Sequence, residues 1–314
     1  MKYLVGILAL LIVGLTACDK VENPFPVVPS TELDYDLYPG TQEEYETNEW
    51  PTFSENTNTD RNVMIEDYTG HRCVYCPNAA ATAEDLEHDN PGRVFVSTVH
   101  AAPEGFSEEF QGLDPGNGFV HDFTCTEGLA IGFHFGNAWD GSSFGGNPFG
   151  SVSRTGFDGT TGDPVEHPST WTSTTNTLIA ANDLKVNIQA ETNYYEEKNG
   201  LFVHTEVDVL DAALLNGLKI VVQLHEDSLV QPQKKPDNSI DATYVHRDVL
   251  RACIDGRHFG QLLDEAHKDA NGKYYYNYSY KLPSVYNPSN MHLLIYVMDE
   301  VTYEIYQVIE KHFH

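Results

Sequence analysis

The sequence predicts an α/β domain followed by an all-β antiparallel sandwich domain. An apolar run opens the chain, a strand–helix–strand pattern follows at residues 61–100, and β-prone runs fill most of the chain beyond residue 165. The length of 314 residues favours two domains over one, and a hydrophobic fraction of 40% is enough for packed cores. We therefore predict that the first domain covers residues 61–165 and the second covers residues 166–314.

The N-terminus has the features of a secretory signal peptide. Lys2 supplies a positive charge, and the apolar run at residues 4–15 is shorter than an N-terminal transmembrane helix would need. The sequence LTAC at residues 15–18 matches the cleavage pattern of bacterial lipoproteins, in which the cysteine becomes the first mature residue and carries lipid. We predict a signal peptide at residues 1–17 and a membrane anchor on Cys18.

Charge and composition limit the possible partners. The chain has 47 Asp and Glu against 18 Lys and Arg, a formal net charge of -29. Such a charge repels nucleic acid and anionic lipid headgroups, so we expect no nucleic-acid partner and a membrane contact through the lipid alone. Residues 18–60 are rich in Pro, Glu, Asp and Thr and lack the period of a helix or a strand. They are predicted to be the lipidated cysteine and an acidic tether.

The first predicted domain is built on a βαβ unit. Two β-prone runs, NVMIEDYTG at residues 62–70 and GRVFVSTVH at residues 92–100, flank the strong helix formers of PNAAATAEDLEHD at residues 77–89. Residues 126–139 are predicted to begin as a helix, and residues 151–157 are β-prone.

The second predicted domain consists mostly of short strands. LKVNIQAET at residues 184–192 and FVHTEVDVL at residues 202–210 alternate apolar and polar side chains around a turn, which predicts a hairpin. Residues 259–267 are predicted to be a short helix. Four tyrosines share one face of a later strand, where they either pack against a sister sheet or offer a platform for sugars or a partner: Tyr274, Tyr276, Tyr278 and Tyr280.

Cys73 and Cys76 are the main candidates for chemistry. This C-x-x-C pair follows a predicted strand and opens a predicted helix, where free N–H groups and the helix dipole favour a thiolate. Cys73 would be an exposed nucleophile and Cys76 the thiol that resolves a mixed disulfide. A structural disulfide remains an alternative. A metal site is disfavoured because no second cysteine or histidine pair follows at ligand spacing, so we predict no metal or cofactor.

Two further cysteines lie in different predicted domains. Outside the cytoplasm thiols tend to be oxidised, so Cys125 and Cys253 are candidates for a structural interdomain disulfide. Two separate buried thiols are the alternative, because sequence does not establish the distance between them.

The surroundings of the pair resemble thioredoxin. Asp67 lies six residues before Cys73, where thioredoxins place a buried acid, and GGNPFGSVSRT at residues 145–155 is similar to the segment that carries their cis-proline. The resemblance implies a thioredoxin-like domain in which Pro148 lines a peptide-binding groove and Asp67 relays a proton to Cys76, with Glu66 as the alternative acid. The residues between the cysteines are Val and Tyr, whereas thioredoxins usually have Gly and Pro.

A second resemblance covers nearly the whole mature chain. It rests on the lipoprotein start and on four motifs: EDYTGHRCVYCPNAA at residues 66–80, NPFGSVSR at 147–154, HRDVLR at 246–251 and YEIYQVIE at 303–310. Together these are similar to the outer membrane protein twenty-eight-related family of bacterial envelope lipoproteins. The resemblance implies a thioredoxin-like domain followed by a β-rich domain at the outer membrane. It leaves two functions to distinguish: thiol–disulfide exchange on envelope proteins, or binding of envelope or surface proteins by a non-catalytic adhesion module that uses the sandwich domain.

Overall fold

The computed structural model describes residues 33–103, 105–137, 146–214 and 216–313. The predicted signal peptide and Cys18 lie outside these ranges. The strands of the described residues are β1 (Val63–Thr69), β2 (Val94–His100), β3 (Phe149–Val152), β4 (Val186–Tyr195), β5 (Gly200–Val209), β6 (Leu218–Glu226), β7 (Leu229–Val230), β8 (Gln233–Lys234), β9 (Ile240–Asp241), β10 (Val245–His246), β11 (Val249–Cys253), β12 (Gln261–Leu262), β13 (Tyr274–Lys281), β14 (Met291–Asp299) and β15 (Ile305–His312).

Five α-helices accompany these strands in the described part of the chain: α1 (Gln42–Asn48), α2 (Cys76–Asp89), α3 (Ser107–Gln111), α4 (Thr126–Asn137) and α5 (Pro168–Ala181). Short 3-10 helices lie at Tyr35–Leu37, Pro115–Asn117, Ala212–Leu214, Glu265–His267 and Pro288–Asn290. None of the helices in the described ranges is long and apolar enough to cross a membrane.

The predicted βαβ unit is present. Strands β1 and β2 are parallel, with Val63 opposite Val94, and α2 connects them. Helix α2 buries Ala79, Ala83 and Leu86, which recur at the spacing of one helix face. Strand β3 pairs antiparallel with the other edge of β1.

One mixed sheet runs through both predicted domains. Its order is β15-β14-β6-β11-β2-β1-β3, with β12 paired to β6. Strand β11 lies parallel to β2, with Val249 opposite Thr98, and thereby joins the strands from beyond residue 165 to the βαβ unit. The predicted separate sandwich is therefore corrected, because five of its strands extend the first sheet: β6, β11, β12, β14 and β15. Alternating patterns predicted these strands, except β12, but carried no information about their pairing partners.

A second sheet makes a partial sandwich with this one. Strands β13, β5 and β4 form it, and the predicted hairpin of β4 and β5 is present with Val186 opposite Val209. Its inner face packs on β6 and β14 in one apolar cluster, which includes Tyr274, Tyr276 and Tyr278. The face that carries these tyrosines therefore packs against a sister sheet, which is one of the two roles predicted for it. Residues 259–267, predicted to be a helix, instead hold β12 and a 3-10 turn.

Helix α5 is absent from the sequence prediction, which treated the chain beyond residue 165 as almost wholly β. The helix is rich in Thr and Ser, which are weak helix formers, so packing has to stabilise it. Its Trp171 is fully buried and packs in one cluster with Ile65, Val152 and Ala83. The predicted boundary at residues 165 and 166 is therefore displaced, because α5 belongs to the core around β1 and α2.

Residues 33–60 pack on the folded body, which contradicts the predicted tether for this stretch. Tyr45 of α1 is buried against Phe202 on the outer face of the second sheet, and its hydroxyl lies 2.7 Å from Nε2 of His204. The segment lacks the regular apolar period of a strand or helix, but its aromatic residues supply the apolar surface that holds it on the sheet.

Candidate redox site

Cys73 and Cys76 form a disulfide, with their Cα atoms 5.5 Å apart. Cys76 is the first residue of α2, and Pro77 occupies the first turn, where a missing N–H is tolerated. The disulfide therefore lies at a helix N-terminus, whose free N–H groups stabilise a thiolate after reduction. The pair follows β1 and opens α2, as the sequence predicted.

The pair is buried. Cys73 is 2% exposed and Cys76 is 1% exposed, whereas Tyr75 between them is 60% exposed. The prediction of an exposed Cys73 is therefore wrong for this disulfide state. The backbone N–H of Arg72 donates to the carbonyl of Phe110 at 3.1 Å, which holds the loop from one side. The side-chain amide of Gln233 donates to the carbonyl of Cys73 at 3.0 Å.

Asp67 lines a small cleft that Cys76 also lines. It is buried, and neither carboxylate oxygen has a hydrogen-bond partner among the described residues. Burial, helped by the negative charge of Glu84, raises the pKa of Asp67 to about 8. Asp67 and Cys76 line one small cleft of about 20 Å³, which has room for about one water molecule. A carboxyl group that holds its proton near neutral pH, next to a thiol, can exchange that proton with it.

Glu66 does not share this site. Neighbouring residues of a strand point to opposite faces, and Glu66 faces the sheet surface away from α2. Arg154 Nε and Nη2 donate to its two carboxylate oxygens at 2.7 and 2.6 Å, and the hydroxyl of Ser151 donates at 2.9 Å. The hypothesis that Glu66 is the alternative relay is therefore wrong: its carboxylate is the buried partner of a guanidinium.

Pro148 shares a cleft with Tyr75, the residue that directly precedes Cys76. The peptide bond between Asn147 and Pro148 is cis, and Pro148 directly precedes β3. Pro148, Tyr75 and Ala79 line an open cleft of about 320 Å³ together with Pro168 of α5. The cleft has the size of a small binding pocket and a mainly apolar lining, which suits a side chain of an extended peptide.

Cys125 and Cys253 are free thiols, so the predicted interdomain disulfide is not formed. Burial raises the pKa of Cys125 to about 11 and raises that of Cys253 well above its usual value. Both sulfurs lie in apolar clusters around β11. Thiols with raised pKa values are poor nucleophiles at neutral pH. The alternative of two separate buried thiols is the one observed.

Several residues of the site were not predicted from the sequence. Gln233, Tyr244 and His246 line the cleft with Asp67 and Cys76, although they lie far from the pair in sequence. His246 belongs to the motif HRDVLR, on which the family resemblance partly rests. The sequence therefore singled out this residue but did not indicate what it does. His246 and His100 pack against Phe123, with ring centroids 4.4 and 4.3 Å away. Within the described ranges, no three His, Cys, Asp or Glu side chains are arranged as metal ligands.

Comparison with protein families matches residues 135–313 to the family described as Outer membrane protein Omp28. This range is more than half of the 314 residues. It includes Pro148 and the strands from β3 to β15, and it begins after the C-x-x-C pair. The comparison with curated proteins found no match.

Comparison with solved structures finds a similarity to HBP35 of Porphyromonas gingivalis, with a TM-score of 0.58 and 16% sequence identity over 82% of this chain and 77% of that chain. At this identity the similarity shows a shared fold alone. Protein AGR_C_4864 from Agrobacterium tumefaciens has a TM-score of 0.45, 12% identity and coverages of 82% and 96%. A domain of the outer membrane lipoprotein Omp28 from Porphyromonas gingivalis has a TM-score of 0.28, 21% identity and coverages of 42% and 90%. Neither of these two scores supports an argument about fold.

Proposed function

Because this chain belongs to the family described as Outer membrane protein Omp28, we propose that it is an outer-membrane lipoprotein that performs thiol–disulfide exchange on proteins of the cell envelope. Cys18 would carry the lipid, and the family supports a location in the envelope. Residues 61–165, completed by α5, would act as a thioredoxin-like unit. The observation that carries the proposal is the placement of the Cys73–Cys76 disulfide at the N-terminus of α2, where Cys76 shares a small cleft with the carboxyl group of Asp67.

The proposed exchange needs no cofactor. A thiolate of a substrate dithiol attacks Sγ of Cys73, the Cys73–Cys76 bond breaks, and Cys76 leaves as a thiolate that takes a proton from Asp67. The second substrate thiolate then attacks the substrate sulfur of the mixed disulfide and releases Cys73. The substrate dithiol is thereby oxidised and the pair is reduced by the same two electrons, and the reverse sequence of steps reduces a substrate disulfide.

Pro148 and Tyr75 are the proposed contacts for the substrate chain. Both line the apolar cleft next to the pair, and the exposed ring of Tyr75 offers contact area to an incoming peptide. The net charge of -29 disfavours strongly acidic substrates, because like charges repel at the encounter.

The test is the reduction potential of the pair. The full chain is equilibrated in glutathione buffers, free thiols are trapped, and the peptide that contains both cysteines is quantified by mass spectrometry. A potential of roughly -120 to -270 mV, the range of exchange catalysts, is expected. A bond that stays closed below about -300 mV would identify a structural disulfide and overturn the proposal. In parallel, Cys76→Ala should accumulate mixed disulfides on Cys73, and the matched variant Cys73→Ala should not.

A second candidate, a non-catalytic binding module, is supported by a different cleft. Trp50, Phe53 and Tyr275 line a cleft of about 320 Å³ on the outer face of the second sheet, and Trp50 is exposed. Exposed aromatic rings of this kind favour contact with a partner. This candidate predicts that Cys73→Ser with Cys76→Ser leaves partner binding intact while Trp50→Ala abolishes it. The reverse pattern would reject it.

A further inference from the structure

Residues 227–248, which join β6 to β11, form a segment that we call the covering arm. Strands β6 and β11 are antiparallel neighbours, and Glu226 pairs directly with Val249. A hairpin between such strands needs only about two to five residues. The arm instead makes two small ladders of its own, β7 with β10 and β8 with β9. The chain therefore leaves the sheet and returns to the same place.

The arm reaches the loop that carries the redox pair. The Gln233 side-chain amide donates to the carbonyl of Cys73 at 3.0 Å and to that of Gly70 at 3.3 Å. The backbone N–H of Lys234 donates to the carbonyl of His71 at 2.9 Å. Gln233 is itself buried. Three hydrogen bonds thus tie β8 to the main chain just before and at Cys73.

The base of the arm closes the other end of the same site. Tyr244, His246 and Arg247 line the cleft that holds Asp67 and Cys76. The arm consequently contacts both the loop around Cys73 and the cleft behind Cys76. Attack on a disulfide requires a thiolate to reach one of its sulfurs. The burial of both cysteines indicates that the arm-closed arrangement does not admit such a thiolate.

We infer that the covering arm is a gate over the Cys73–Cys76 disulfide, held shut by the bonds from Gln233 to the loop. This inference rests on the proposed function in one respect: it assigns the gate to a pair that exchanges with protein thiols. Exchange then requires β8 to leave the loop while the sheet strands β6 and β11 stay in place. Because the arm is bound by a few hydrogen bonds to main-chain carbonyls, one side-chain truncation is enough to weaken the closed state.

The experiment measures access with small reagents. The full chain is treated with excess dithiothreitol, samples are quenched over time, and the reduced peptide of Cys73 and Cys76 is quantified by mass spectrometry. Gln233→Ala is expected to raise the reduction rate by at least about tenfold. The matched control is Gln231→Ala, two residues earlier in the arm, where the backbone N–H bonds to the carbonyl of Tyr244. This control should reduce at the rate of the parent protein.

A second measurement separates a gate from a simple stabiliser of the disulfide. A gate restricts access in both redox states, so Gln233→Ala should also speed alkylation of reduced Cys73 by iodoacetamide. A stabiliser of the oxidised form would change the reduction rate alone. Equal rates for Gln233→Ala and the parent protein would overturn the gate. A parent disulfide that is reduced as fast as oxidised glutathione would overturn it as well.

The gate and the proposed function fail in distinguishable ways. Neither reagent assay contains a protein substrate, so both report on the arm alone. Suppose that Gln233→Ala reacts faster than the parent protein with both reagents, but that neither protein exchanges disulfides with thiol-containing proteins. This result would support the gate and overturn the proposed oxidoreductase function.

Discussion

Glu66 and Asp67 are consecutive residues of β1, yet one carboxylate is held by two guanidinium hydrogen bonds and the other has no hydrogen-bond partner among the described residues. The alternation of side chains along the strand places Glu66 against Arg154 and places Asp67 on the side of α2, in the cleft that Cys76 also lines. The two acids of the same strand therefore differ in their surroundings: Glu66 is held in a buried ion pair, whereas burial raises the pKa of Asp67 to about 8.

The buried pair of Glu66 and Arg154 makes a strong prediction about stability. Glu66→Gln leaves a buried guanidinium with a neutral partner and should lower the free energy of unfolding by about 3–5 kcal/mol. The double variant Glu66→Gln with Arg154→Met should recover part of this loss, because no unpaired charge remains. Urea denaturation of the parent protein and the two variants measures the loss and its partial recovery. A loss below about 1 kcal/mol for Glu66→Gln would contradict a buried, fully paired carboxylate.

Asp67→Asn should change how stability depends on pH. An unfolded Asp ionises near pH 3.9, whereas the pKa of Asp67 in the folded protein is about 8. Between these values the unfolded state binds fewer protons, so this group lowers stability as pH rises, by at most about 1.4 kcal/mol per pH unit. An Asn side chain does not ionise, so the variant lacks this loss of stability at rising pH. The variant should therefore gain stability relative to the parent between pH 5 and pH 8 in denaturant titrations.

The control for Asp67 is Asp85→Asn, on the exposed face of α2. Its stability should follow that of the parent protein across the same pH range. An unchanged profile for Asp67→Asn would mean that Asp67 is ionised in the folded protein, which would also remove it as a proton donor to Cys76.

Buried neutral histidines should make the fold sensitive to acid. Burial lowers the pKa of His225 and His246 to about 4 and that of His292 to about 3. Below the ordinary histidine pKa of about 6.5 the unfolded state binds more protons, so these groups lower stability as pH falls toward 4. His292→Gln should flatten the slope of unfolding free energy between pH 6.5 and pH 4 by about one proton. The exposed His88→Gln should leave that slope unchanged.

The packing of the N-terminal segment is testable at Tyr45. Tyr45→Ala removes a buried ring and should cost about 3–5 kcal/mol of unfolding free energy. Tyr45→Phe keeps the ring but removes the partner of His204 Nε2, and should cost about 1–3 kcal/mol. Thermal and urea unfolding of the full chain measure both. If Tyr45→Ala matched the parent protein, residues 33–60 would be a tether after all.

The candidate site was partly predictable because its central residues are close in sequence. Cys73, Cys76 and Asp67 lie on one strand–loop–helix segment, where period and spacing place them without knowledge of distant contacts. Gln233 and Tyr244 line or contact the same site because they belong to the covering arm. In sequence this arm lies between β6 and β11, which are neighbours in the sheet. No local pattern connects these residues to the pair.

Sequence by itself determined the βαβ unit around Cys73 and Cys76, the β4–β5 hairpin and the family resemblance, because each depends on periodicity or motifs within short windows. Only the tertiary structure decided that β6, β11, β14 and β15 join the first sheet, that α5 packs on α2, and that residues 33–60 cover the second sheet. The physical reason is common to all three. The apolar face of a strand or helix can be recognised from the period of its own sequence. The surface that buries this face depends on contacts with residues far away in the chain, which a short stretch of sequence does not specify.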